Sequence, residues 1–173
     1  VNKKLPTAAK MTDVPSHSWI LPTILKNAGV NFLHLGCNPG SAVPEIPLLF
    51  WWEGPDGSRL LTMYSTGYGS GLFPPEGWKH KTWLAMQMRG DNAGPPSPEE
   101  VKKILDEIHK EMPDIKVSVG QLSDFSDRII EEDPQLPIVR SDMPDSWIHG
   151  VMCAPKSVIQ SQAALPLLST GES

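Results

Sequence analysis

Positive charge is scarce in this chain and nowhere concentrated. Fifteen Lys and Arg stand against twenty Asp and Glu, a formal net charge of −5, with no basic run. Nucleic acids and anionic membrane surfaces are therefore poor partners. No segment reaches the roughly 18 consecutive apolar residues that a bilayer crossing needs, so no membrane span is expected. There are only two cysteines, Cys37 and Cys153. They lie far apart without CxxC spacing, which argues against a zinc knuckle and against a disulfide framework. No internal repeat, low-complexity stretch or secretory signal pattern is visible, and a start at Val1 reads as a piece of a longer protein. Breakers, in contrast, are plentiful: 18 prolines and 14 glycines in 173 residues imply short elements and long loops. The hydrophobic fraction of 39% and charged fraction of 20% are those of a globular domain with a core.

The elements follow from periodicity and punctuation. Residues 10–13 close a short apolar run on Asp13, and an amphipathic stretch over 19–28 stops at Gly29. Residues 30–35 read as a buried strand in which His34 is a core histidine. Residues 48–52 and 59–64 flank Pro55-Asp56-Gly57, which is hairpin chemistry. Strands are expected at 83–88, 115–119 and 136–142. A helix beginning after Ser97 is marked by Pro98 at its first position and Glu100 completing a capping box, and it ends at Pro113. A further helix over 122–132 takes Ser123 or Asp124 as cap, and another covers 158–168. Strands alternating with helices predict an α/β fold with a largely parallel sheet. About five strands fall short of a complete eight-unit barrel of roughly 250 residues. The expectation is a small open sheet or part of a barrel, as one domain over 1–173.

Two carboxylates draw attention because each follows an expected strand and precedes a loop and a helix start. In parallel α/β architectures, strand carboxyl ends carry chemistry. Asp13 and Asp91 would then face one cleft, where one ionised and one protonated carboxyl group can divide the work of glycosidic cleavage. Read singly, each is a turn residue. Trp51, Trp52, Tyr64 and Tyr68 are aromatics suited to stacking on sugar rings. Alternation along a strand sends one of Trp51 and Trp52 to the core. His17 either packs at the helix start or bonds to Asp13, and His149 would rim the same cleft.

Three segments resemble family 38 glycoside hydrolases, the α-mannosidases. Asp13-Val14-Pro15-Ser16-His17-Ser18, with Leu21-Pro22 and Ala28-Gly29 downstream, is similar to that family's D-x-F-G-H-S…L-P…A-G segment. Residues 50–61, from Phe50-Trp51-Trp52 through Gly54-Pro55-Asp56-Gly57-Ser58, resemble its F-x-W-x-G-P-D-G-S-x-V-L hairpin. Gly90-Asp91-Asn92-Ala93-Gly94-Pro95 resembles the glycine-rich acidic loop of bacterial members, and Ile148-His149-Gly150 distantly resembles a later motif. The nearest likeness is to a sister group carrying a domain of unknown function, DUF5054. The sequence departs from the family pattern where Val14-Pro15-Ser16 replaces an aromatic-glycine turn and where Ala93 interrupts the glycine run.

The resemblance implies a partial (β/α)7-type barrel with an inserted β-hairpin, belonging to a retaining hydrolase that uses zinc and acts on a carbohydrate. It places Asp13 as nucleophile and metal ligand and Asp91, or alternatively its neighbour Asn92, as acid/base; with Asp91 in that role, Asn92 supports it as His17 would support Asp13. The family's other zinc ligands, an upstream His-x-Asp pair and a downstream histidine, have no counterpart here. The chain by itself is therefore expected to be inactive and to bind zinc weakly.

Overall fold

The computed structural model describes residues 5–89, 93–132, 134–143 and 154–171. In chain order these form β1 (Ala8–Thr12), α1 (Leu21–Asn27), β2 (Phe32–Gly36), β3 (Leu49–Glu53), β4 (Arg59–Ser65), α2 (Pro98–Glu111), α3 (Leu122–Glu131), β5 (Ile138–Val139) and α4 (Pro155–Gly171). The five strands make one mixed sheet in the order β1-β2-β4-β3-β5. β1, β2 and β4 run parallel, β3 runs antiparallel to β4, and β5 runs parallel to β3. The α/β class and the hairpin expected around Pro55-Asp56-Gly57 are both present.

Both faces of the sheet are covered, which is why every residue of β2 is buried. Side chains alternate along each strand, so the two faces sort cleanly. On one face Leu33, Leu35, Phe50, Trp52, Leu60 and Tyr64 pack with Met11, Trp19, Leu21 and Leu25 from the β1–α1 segment. On the other, Phe32, Leu49, Leu61 and Met63 meet Phe125 and Ile129 of α3, with Trp78 and Trp83 over them. Fully burying each such side chain is worth about 1.5–3 kcal/mol. Among the described residues no helix is long and apolar enough to cross a membrane.

Several expectations need correction. The first helix begins at Leu21 because Trp19 is engaged elsewhere: its backbone N–H donates to Asp142 Oδ1 at 2.7 Å and its indole to Glu53 O at 2.6 Å. No strand forms over 83–88 or 115–119. The first of these segments is held instead by bonds to Ser70, and Val119 in the second is 91% exposed. The strand expected over 136–142 shortens to two residues. The cap of α3 is Gln121, which exchanges bonds with Asp124 as a capping box, in place of Ser123 or Asp124.

Candidate functional site

The register sets the site. Thr12, Gly36 and Ser65 lie level across β1, β2 and β4, so the residues that follow them share one end of the sheet. Asp13 continues β1 with its N–H donating to Gly36 O at 3.2 Å, and its φ is +58°. Aspartate is one of few residues that enters this left-handed region readily. Ser16 has φ +63°, at the place where the resembled motif carries glycine. The Pro15 turn is thus bounded by two left-handed residues that aim Asp13 away from the strand. Such outliers gather where a side chain must be held in a set direction.

Asn38 fixes that direction. Its Nδ2 donates to Asp13 Oδ1 at 2.7 Å and to the Tyr68 phenol oxygen at 3.1 Å, while its Oδ1 accepts from Gly40 N at 2.8 Å. Tyr68 is held from behind, because Lys10 Nζ donates to its carbonyl at 2.9 Å. The Gly67–Tyr68 backbone lies directly on β2. A Cβ at Gly36 would come within 3.0 Å of both Gly67 O and Tyr68 Cα, so only glycine permits the approach. Partial burial holds the Lys10 ammonium below its ordinary pKa.

Two clefts flank this end of the sheet. One, of about 500 Å³, is walled by Ile46, Leu48, Tyr64, Phe73, Pro75 and Trp83 and has Ser65, Thr66 and Ser70 among its polar lining. The other, of about 450 Å³, runs from Pro39 and Tyr68 to Met86, Met88 and Arg89. Gly69 and Gly71 line both. Arg89 also clasps the end of the acidic loop, its Nη1 donating to the carbonyls of Gly94 and Pro95, each at 3.1 Å.

The structure joins Asp13 to Tyr68 through Asn38, a residue not anticipated from sequence because its position depends on the β1–β2 register. Tyr64 lines the larger cleft. Trp52 is corrected: it has no exposed surface, donates its indole N–H to Ser141 O at 2.9 Å, and sits in the core where no ligand can stack on it. Trp51 packs on the opposite face, against the Phe125 cluster. His17 is anchored by paired backbone bonds with Met143, both 2.9 Å. Asp91, Asn92 and His149 lie outside the described residues.

A metal finds one carboxylate here. Asn38 is the group bonded to Asp13 here, and among the described residues no three His, Cys, Asp or Glu side chains come together to hold an ion. A single carboxylate does not hold Zn²⁺. The described residues by themselves therefore supply too few donors for a zinc centre.

No family model matches the chain, and no curated protein sequence matches it. Among solved structures it is similar to an alpha-mannosidase from Enterococcus faecalis V583, with TM-score 0.58 and 15% identity over 80% of this chain. The match covers 18% of that protein, so the chain spans less than a fifth of its length. At this identity the likeness is one of fold.

Proposed function

We propose that this chain forms part of a family-38-like β/α barrel, of the DUF5054 type, whose full-length protein hydrolyses a glycosidic bond with retention, an α-mannoside being the first substrate to try. The observation that carries the reading is Asp13: a carboxylate at the carboxyl end of a parallel strand, turned by a left-handed residue and held by Asn38. A nucleophile needs this kind of fixed aim, since effective catalysis depends on near-attack geometry. The fold likeness to an alpha-mannosidase supports the barrel assignment.

In this reading Asp13 attacks the anomeric carbon, and Asp91, two residues beyond Arg89 in the sequence, protonates the leaving oxygen and then activates water. Tyr68, tethered to the same amide as Asp13, borders the cleft that receives the sugar, and Tyr64 belongs to the wider substrate-binding set with His149; Trp51, level with Leu61 and Phe32 at the far end of the sheet, does not. Zinc remains part of the proposal only as a group to which Asp13 contributes one ligand beside others from outside these residues. The test is turnover of aryl α-mannosides by the full-length protein. Asp13→Asn is expected to lower kcat/KM on the order of a thousandfold or more. Unchanged turnover in that variant would remove Asp13 from the chemistry.

A further inference from the structure

Residues 70–86 form neither helix nor strand, yet the two ends of the segment meet. Ser70 N–H donates to Met86 O at 3.0 Å, and Met86 N–H donates to Ser70 Oγ at 2.9 Å, which closes a neck. A Cβ on Gly69 would collide with Met86 O, so glycine permits the close approach there. Beyond the neck the loop packs on itself. Trp78 and Trp83 meet edge to face with ring centroids 4.9 Å apart. Trp78 Nε1 donates to Thr82 O at 3.1 Å and Trp83 Nε1 to Gly71 O at 3.4 Å. Close ends and a filling of its own side chains make this an Ω-loop.

Its ties to the rest of the chain are few. Among the described residues, every hydrogen bond made by residues 71–85 closes inside 70–86, except those to Glu132 at the end of α3. Glu132 Oε1 accepts from Lys81 N–H at 3.2 Å, and Oε2 lies 3.3 Å from His80 Nδ1. Trp78, Trp83 and Leu84 lie on the sheet face made by Phe32, Leu61 and Met63, but no residue of 70–86 is fully buried. A half-buried apolar contact and one carboxylate thus hold the whole loop. Segments so held open locally while the core stays folded.

The loop is also a wall. Phe73, Pro75 and Trp83 line the cleft of about 500 Å³, whose lining also includes Ile46, Leu48 and Ser65 from outside the loop. We propose that residues 70–86 are a lid that swings as one body about the Ser70–Met86 neck, and that Glu132 is its latch. Gly71, with φ +87°, sits beside the neck and gives the pivot a backbone that side-chain-bearing residues rarely adopt. Losing the Glu132 carboxylate frees the lid and uncovers Ser65, while the sheet stays intact. The inference rests on neither Asp13 nor any particular ligand, so it goes beyond the hydrolytic reading.

Two readouts on the full-length protein test it. Trypsin cuts after Lys79 and Lys81 when the lid detaches, and after Arg59 of β4 when the sheet opens. Glu132→Ala should speed cleavage in the lid about tenfold, the share of a hydrogen bond to a charged group, and leave cleavage after Arg59 unchanged. Glu132→Gln should speed it less, because the amide oxygen still accepts from Lys81 N–H. Ser65 is 5% exposed, so in Ser65→Cys the rate of alkylation by iodoacetamide reports how far the cleft is uncovered. Adding Glu132→Ala should raise that rate by a similar factor, with the buried Cys37 as reference for opening of the core. The Trp78–Trp83 contact should persist in Glu132→Ala, seen as a nuclear Overhauser effect between the rings. Wild-type rates of lid cleavage and alkylation in Glu132→Ala would overturn the proposal. Equal acceleration after Arg59 would make Glu132 a prop of the whole fold, and loss of the ring contact would mean that the loop frays; either result would overturn it too.

Discussion

His34 shows how one side chain ties stability to pH. Its folded pKa of about 3 lies below the ordinary 6.5, so the unfolded chain takes up the proton first. Its contribution is thus complete above about pH 6.5 and is lost as the pH falls towards 3. At pH 5 the loss from this group is about 2 kcal/mol. Urea unfolding at pH 7 and pH 5 measures it, with His34→Gln as the control that keeps an amide donor for Ser65 without a titrating ring. The wild type should lose about 2 kcal/mol more than the variant between the two pH values. Equal losses would mean that His34 is not held neutral by its surroundings. Sequence identified His34 as a core residue from its apolar neighbours, but not its partner. Ser65 lies 31 residues away and comes into reach only through the β2–β4 register.

At the scale of elements, the β3–β4 hairpin is the clearest case of local chemistry deciding structure. Gly57 takes φ +83°, its N–H donates to Gly54 O at 3.0 Å, and Gly54 N donates to Ser58 O at 2.9 Å. Asp56 does more than turn the chain: its Oδ1 accepts from Thr23 Oγ1 at 2.5 Å, which ties α1 to the hairpin. A Cβ at Gly57 would touch nothing within 4 Å, so a side chain there pays only in backbone conformation. Gly57→Val should therefore destabilise the protein by more than about 1 kcal/mol, and Gly57→Asn by clearly less, as thermal denaturation can measure. Equal melting temperatures for wild type and Gly57→Val would contradict the turn. The hairpin and the helix after Ser97 were legible because Pro, Gly and the Ser97–Glu100 box act within a few residues. The strands expected over 83–88 and 115–119 were not, because apolar residues become a strand only where a sheet edge receives them. Residues 83–88 found the Ser70 loop instead, where Met86 O accepts from Ser70 N at 3.0 Å.

For the whole molecule, the sheet brings the ends of β1, β2 and β4 level, and that alignment assembles Asp13, Asn38 and Tyr68 from three separate stretches of chain. Asp13 was visible in the sequence as a carboxylate ending a strand. Asn38 was not, because nothing local in Cys37-Asn38-Pro39 marks it; only the register places it beside Asp13. The most direct measurement of the account is mass spectrometry of the full-length protein quenched during turnover of an activated α-mannoside. A retaining two-carboxylate mechanism passes through a covalent glycosyl-enzyme. One glycosyl unit on the peptide containing Asp13, absent from Asp13→Asn, is the predicted result; turnover with the label on another residue would contradict it.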